Sequence, residues 1–491
     1  MDLVSLFPLA TLSGHEMFTV LPLIILSFGA VLALIVGTHK HLGHALAFGS
    51  SFVTLVVCTC LSISGLYSQG TVVLGKALIF SPFTKCLGVM VLIFSLGATV
   101  LTYGQDRKEG LLSEVYALIL FATAGMIMMV SSNHLIFMFI ALEIMSLAIY
   151  VLVAMRRSSQ FSAEAGLKYF ILGGLASAFF LYGTSLVFGA SGSFELPVIR
   201  EYLASGTPSF IYYIGLGLIL AAMLFKVGAF PFHGWVADVY QGAATNVTAF
   251  MGAAVKFTAF MAFANIVRHL VFVPGVVGLE WFQTVIWFAS AASMIYGNFV
   301  AISQHEIKRM LAFSTIAHSG YLLMGIYAMN GDAASSESLV LYLFFYALTN
   351  LGAFSIISLF EVKNQKDLTL DQMAGLGNKY PLLGTLFTLF LLSMAGIPLT
   401  SGFIGKYGLF NSTIMSGEVP LVVIAVLTSV VSVYYYLRVI VYMFMKDPTA
   451  EMAIASKLRG ASIAALLSAF LTLQFGLFPK AIIHFVATLA R

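Results

Sequence analysis

Charge is what this sequence lacks. Of its 491 residues only 9% are Asp, Glu, Lys or Arg, against about 25% in an ordinary soluble domain. So few charges cannot cover a 53 kDa chain in water. Hydrophobic residues make up 60% of it, and the mean hydropathy is +1.00. The same figures exclude disorder, because disordered segments are polar and charge-rich. A net charge of +4 over this length is no basic patch, which argues against a nucleic-acid partner. Cysteine is equally scarce. Cys58, Cys60 and Cys86 sit in or beside apolar stretches without CxxC spacing, so neither a disulfide framework nor a metal knuckle is indicated. No GxGxxG follows a strand, and there is no P-loop and no cysteine cluster for iron–sulfur. The chain shows no redox centre of its own.

Long apolar runs fill the rest. A transmembrane helix needs roughly 20 mainly apolar residues, and the runs here do not alternate as barrel strands would. Fourteen spans are predicted, at 16–37, 44–66, 82–103, 114–132, 134–154, 165–189, 210–240, 244–268, 280–303, 309–329, 338–361, 382–411, 420–445 and 459–485. The chain is therefore expected to be an all-α polytopic membrane protein with no soluble catalytic domain. Residues Met1 to Gly14 carry no Lys or Arg. A cleaved signal peptide needs a positive start, so the first span is expected to be retained. Lys and Arg concentrate in the odd-numbered connections: Lys40, Arg107, Lys108, Arg156, Arg157, Lys308, Arg309, Lys363, Lys366, Lys379, Lys446, Lys457 and Arg459. Only Lys76, Lys85, Arg200, Arg268 and Arg491 fall in the even connections and the tails. The positive-inside rule then puts the odd connections in the cytoplasm and both termini on the opposite side of the membrane.

A few charges fall at membrane depth. Glu143 lies mid-way along span five, Lys226 in span seven, Lys256 at the centre of span eight and Lys406 in span twelve. Lys256 is roughly 18 Å of helix from either end at 1.5 Å per residue, too far to snorkel to the headgroups. Lys406 and Arg438, in the last third of span thirteen, could reach an interface. A single Glu–Lys pair could be structural, but three lysines and one glutamate at this depth point to an ion path. Such a row could load and release protons in turn as partners move. His318, near the middle of span ten, is a possible relay near neutral pH or a hydrogen-bonded structural residue, and His233 carries the same alternatives. Haem would need a second ligand on a facing helix, and nothing pairs with His318 in that way. Tyr434, Tyr435 and Tyr436 read as packing or interface residues.

Span seven contains Gly228 and Pro231, and span twelve contains Gly396 and Pro398. Proline removes an amide donor and clashes with the preceding turn. Breaks are expected at both places, bordering a polar cavity. Spans four to eight and nine to thirteen then form two five-helix units, each broken at its fourth helix. An odd number of helices inverts the second unit, and inverted repeats with discontinuous helices are a transporter signature. The expected organisation is 1–113 (helices one to three), 114–268 (first repeat), 280–445 (second repeat) and 459–491 (last helix).

The segments LEIMSLAIYVLVA, EAGLKYFILGGLASAFFLYG, FKVGAFPFHGWVADVYQGA, FVAISQHEIKRMLAFSTIAHSGYLLMG, AGIPLTSGFIGK and YYYLRV resemble the N-subunit family of bacterial NADH:quinone oxidoreductase, respiratory complex I. That family belongs to the antiporter-like proton transporters. The resemblance runs from about Glu114 to Arg438. It implies that Glu143 pairs with Lys226, that Lys256 is the central lysine of the eighth helix, and that Lys406 is the terminal lysine beside the exit half-channel. Lys406, where M and D relatives tend to carry glutamate, favours the N type. Two family prolines are replaced here by Ala237 and Ala244, which bears on the stiffness of that loop. The resemblance also implies a translocase complex in which NADH, FMN, iron–sulfur clusters and quinone are bound by other chains. Neighbouring antiporter-like and small membrane subunits would be the partners. A cation/proton antiporter subunit, a purely structural membrane scaffold and a ferredoxin- or hydrogenase-linked relative are the alternatives.

Overall fold

The computed structural model describes residues 14–490 except 69, 74–75, 104–111, 157–158, 277, 330–332, 361–367 and 449–458. The loop charges Arg107, Lys108, Arg157, Lys363, Lys366, Lys457 and Arg491, and the opening segment, lie outside these residues. Twelve helices among the described residues are long and apolar enough to cross a membrane.

The chain opens with α1 (Gly14–Gly37) and α2 (Gly43–Ser64). A short antiparallel hairpin, β1 (Thr71–Val73) and β2 (Leu78–Phe80), leads into α3 (Pro82–Thr102). The start of α3 is set locally: Pro82 takes the first-turn position and the Ser81 hydroxyl accepts from the Thr84 amide at 3.2 Å, as an N-cap should. Then come α4 (Leu112–Ser131), α5 (Leu135–Val153), α6 (Gln160–Ser191) and the short α7 (Leu196–Ala204).

Predicted span seven is two helices, α8 (Phe210–Lys226) and α9 (Val236–Gly242). Between them Gly228 adopts φ +67° and the Phe230–Pro231 peptide is cis. Ala237 sits within α9, where the helix forms without the family proline. Predicted span eight is one rod in three parts: α10 (Thr245–Phe250), a π-helical turn over Met251–Val255, and α11 (Lys256–Leu270). Then follow α12 (Glu280–Ile302), α13 (Ile307–Ala328), α14 (Ala333–Phe360) and the single turn α15 (Leu376–Lys379). Predicted span twelve is again two helices, α16 (Pro381–Ala395) and α17 (Ser401–Met415), and α18 (Val419–Met445) comes next.

Predicted span fourteen, 459–485, differs from expectation. It is α19 (Arg459–Leu477) and α20 (Lys480–Ala490), parted at Pro479. Proline has no amide to continue the ladder, and Lys480 stands exposed at the start of the second piece.

Burial sorts these helices into a core and a shell. Across their most apolar windows, α10–α11 and α14 are 100% buried and α13 is 94% buried. The corresponding values are 39% for α1, 28% for α2 and 33% for α6. The shell exposes Phe28, Ile35, Phe161 and Leu427, a surface fit for lipid and not for water. A polar group on a core helix must therefore find its partner inside the protein.

A buried row of lysines at two broken helices

The first cluster lies where α5, α6 and α8 meet. Glu143 is half-buried on α5, and its carboxylate accepts a short hydrogen bond from Ser177 of α6. Lys226, the last residue of α8, is buried and donates to the Ser146 hydroxyl at 2.6 Å. Ser146 lies three residues after Glu143, on the same face of α5. Among the described residues no direct salt bridge joins Glu143 and Lys226, and each contacts a hydroxyl, Ser177 and Ser146, with the two carriers of charge close along α5 and α8. The Lys226 ammonium also stands 5.7 Å from the ring centres of Tyr150 and Tyr169, within cation–π range.

A small cavity follows. Lys226, Gly228, Trp235, Tyr240, Met251 and Lys256 are among the residues around it. Its space of about 20 Å³ is enough for about one water. Both lysines line it.

Lys256 follows the π turn directly. Its ammonium donates to the Thr315 carbonyl at 2.6 Å and to the Ser319 hydroxyl at 2.9 Å, both on α13. It also lies 5.0 Å from the ring centre of Tyr346. Ser319 in turn donates to the Val227 carbonyl at 2.8 Å, the C-cap of α8. One hydroxyl thus ties the first helix break to the central lysine.

Aromatic side chains fill the space from Lys256 to the second break. His318 is buried on α13, with Nδ1 2.6 Å from the Tyr342 hydroxyl and Nε2 3.3 Å from that of Tyr436. Its ring centre is 4.7 Å from that of Tyr346 and 5.8 Å from that of Tyr321. The Lys406 ammonium stands 4.9 Å from the Tyr321 ring centre. Lys406 also donates to the Ala395 carbonyl at 3.0 Å and to the Ser429 hydroxyl at 2.9 Å. Ala395 is the last residue of α16, so the lysine caps the broken helix end. Glu143, Lys226, Lys256, His318 and Lys406 therefore lie along one continuous polar and aromatic row.

Two other sequence candidates take different places. Arg438 donates to the carbonyl of Ile302, the last residue of α12, at 2.8 Å and to that of Gln304, two residues beyond, at 2.7 Å, where a cation complements the helix dipole. His233 lies in the α8–α9 break, with its ring 4.4 Å from that of Tyr296.

Several residues were missed or misread. Tyr436 is fully buried and bonds both Ser314 and His318, and Tyr435 donates to Asn298 at 2.9 Å; only Tyr434 faces outward. Lys308 was counted as a loop charge, yet it is buried. Its ammonium donates to the Ala243 carbonyl at 2.9 Å. Two residues past the neighbouring Asn246, Thr248 donates to the carbonyl of Tyr240 at 3.0 Å, and Tyr240 lines the cavity between Lys226 and Lys256. Beside Lys308, Asp238 holds Lys168 at 3.0 Å and Arg309 at 2.9 Å. This binds the starts of α6, α9 and α13 at one membrane face.

Comparison with known proteins accords with this arrangement. Residues 132–432 match the family described as NADH:quinone oxidoreductase/Mrp antiporter, transmembrane. The NADH-quinone oxidoreductase subunit N of Rhodococcus opacus is 41% identical over 373 residues, 75% of this chain and 68% of that one. Subunit N 1 of Solibacter usitatus is 38% identical over 471 residues, 95% of each chain. A chain of respiratory complex I from Thermus thermophilus superposes with a TM-score of 0.80 at 30% identity, over 94% of this chain and 98% of that one. A chain of the Mrp complex from a Dietzia species shares the fold, with a TM-score of 0.84 at 20% identity over 98% of this chain and 97% of that one. This chain belongs to the family of the N subunit of NADH-quinone oxidoreductase.

Proposed function

We propose that the protein is a proton-translocating membrane subunit of an NADH:quinone oxidoreductase, and that Glu143, Lys226, Lys256, His318 and Lys406 carry the protons. The observation that carries this reading is how the buried lysines are held. Lys226, Lys256 and Lys406 meet hydroxyls, backbone carbonyls and aromatic faces. An ammonium with neutral acceptors can lose a proton and leave a neutral amine that still donates. One locked to a buried carboxylate would strand a charge. The cavity supplies a step from Lys226 to Lys256, and His318 with its tyrosines supplies a step from Lys256 toward Lys406.

On this reading each broken pair is one crossing, α19 with α20 is one, and the chain crosses the membrane fourteen times. On this reading residues 1–113 and 459–491 flank two inverted repeats, 114–268 and 280–445. The odd connections face the cytoplasm of a bacterial inner membrane and both termini face the periplasm. Lys308 and the Asp238 ion cluster then sit at the cytoplasmic mouth, where protons enter. NADH, FMN, iron–sulfur clusters and quinone belong to other chains of the complex. Electron transfer there changes the electrostatics along the row.

The test is the assembled complex carrying Lys256→Ala or Glu143→Ala, reconstituted in vesicles. Fewer protons moved per quinone reduced is the expected result. An unchanged ratio with the complex intact would refute the role of the row.

A further inference from the structure

The π-helical turn before Lys256 carries a contact that the proton row does not use. Turns of this kind, Met251–Val255 here, occur inside α-helices mostly at functional sites. Its second residue is Gly252. A Cβ built there would collide with Asn350 Oδ1 and lie 2.8 Å from Asn350 Cγ. Glycine therefore leaves the room that the Asn350 carboxamide, coming from α14, occupies against the turn.

Asn350 is 1% exposed. Its Nδ2 donates to the Tyr346 hydroxyl at 3.1 Å, one turn back along α14. Its Oδ1 has no hydrogen-bond partner among the described residues. A buried acceptor left in this way costs free energy, and an apolar side chain of the same shape would avoid that cost. Violations of this kind are expected where function needs the polar group, which here is the arm that holds Tyr346.

Tyr346 is buried too, and its hydroxyl has a second tie, to Thr315 Oγ1 at 2.9 Å. Thr315 is also the residue whose carbonyl accepts from Lys256. The contacts close a circuit from the π turn through Asn350, Tyr346 and Thr315 to Lys256, which directly follows the turn. Held in this way, the Tyr346 ring has its centre 5.0 Å from the Lys256 ammonium and 4.7 Å from the centre of the His318 ring. It is a common neighbour of both groups in the step from Lys256 toward Lys406. What a ring contributes to a nearby cation depends on which part of it the cation meets, so the hold on Tyr346 matters to both neighbours.

We propose that Asn350 is a positioning residue: braced against Gly252 of the π turn, it fixes the Tyr346 ring beside Lys256 and His318 and so sets the proton hand-over between them. The inference rests on the proposed role of the row and adds the residues that keep its middle step in register.

Reconstituted complexes carrying Tyr346→Phe, Gly252→Ala or both substitutions test this, with protons moved per quinone reduced as the readout. Tyr346→Phe keeps the ring and removes both ties. Gly252→Ala drives the Asn350 carboxamide out of place and removes one. Each should lower the ratio by roughly two- to tenfold, the range a hydrogen bond is worth. The double variant should pump no worse than Tyr346→Phe alone, because the tie that Gly252→Ala breaks is already gone. A glycine with only a packing role would give a further loss in the Tyr346→Phe background, since Asn350 is still crowded there, and that result would overturn the proposal. So would an unchanged ratio in Tyr346→Phe. If Gly252→Ala does not assemble, Asn350→Leu takes its place, removing the donor without crowding the turn, and the same non-additivity is required. Lys256→Ala in parallel separates the two ideas. A lowered ratio there with a normal one in Tyr346→Phe refutes the role of Asn350 alone, and normal ratios in both refute the row with it.

Discussion

Ser319→Ala isolates the link between the first helix break and the central lysine. The Ser319 hydroxyl accepts from Lys256 at 2.9 Å and donates to the Val227 carbonyl at 2.8 Å. Its removal takes one acceptor from a buried ammonium and strands one buried carbonyl. A hydrogen bond to a charged group contributes about 1.5–3 kcal/mol, and a stranded buried acceptor costs about 1–3 kcal/mol. Lys256 keeps the Thr315 carbonyl at 2.6 Å, so its ammonium is weakened and not abandoned. A shift of ~1.5–3 kcal/mol is roughly a ten- to hundredfold change in the equilibrium between charged and neutral Lys256. The expected outcome in reconstituted complex is a fall of about tenfold or more in coupled turnover, with assembly intact. Ser290→Ala is the matched control, because it also removes a buried hydroxyl, one that donates to Gly320 of the same helix α13 at 2.7 Å. If Ser319→Ala pumps within twofold of wild type, or if Ser290→Ala is equally impaired, the hydroxyl does not couple the break to the lysine.

Gly396→Ala places a side chain at φ +85° and brings its Cβ to 2.8 Å from Lys406 Cδ. Strain of about 1–2 kcal/mol and displacement of the ammonium should lower protons moved per quinone, read in the same vesicles. Lys308→Met should slow proton uptake while the complex still assembles, measured as the rate of vesicle acidification or alkalinisation against quinone reduction. Arg438→Met strips the donors from two carbonyls at the end of α12. It should lower the thermal stability of the complex by ~1–2 kcal/mol and leave the proton ratio per quinone unchanged.

How much of this was legible in the sequence follows from where each signal resides. The spans were readable because an apolar run reports burial in lipid directly. The two breaks were readable because Gly228, Pro231, Gly396 and Pro398 act on the local backbone. Pro479 is the same kind of signal, and Lys480 stands directly after it. Glu143 and Lys256 were readable because nothing near them in sequence could bring them to water. Lys308 and Lys85 were not, because each sits in the first turn of a helix, where a lysine ordinarily reaches solvent. Their burial is imposed by Ala243 and Ser68, which are 65 and 17 residues away along the chain. Tyr436 reads from sequence as a packing residue and is one, but its partner is not legible for the same reason. Its contact with His318 spans 118 residues, and three consecutive tyrosines on a helix point in three directions.

The placement of the lysines at the breaks has a physical reason. A helix that ends inside the membrane leaves carbonyls without amide partners, and those carbonyls carry the negative end of the helix dipole. In this fold Lys406 meets the Ala395 carbonyl directly, and Lys256 reaches the Val227 carbonyl through Ser319. The cost of the break and the cost of the buried cation are each reduced by the other. The same geometry makes proton affinity at both sites depend on how the helix ends are oriented. A small rotation of α8 or α16 would move a carbonyl dipole relative to an ammonium without breaking any covalent constraint. Distance matters steeply here because the core helices exclude water and the local dielectric is low. A carbonyl inside an unbroken helix, such as that of Thr315 in α13, can also accept from a lysine, but it is tied to its own ladder and moves less than a free helix end. On the proposed reading, the breaks are therefore the part of the fold through which motion elsewhere in a complex is turned into uptake or release of a proton.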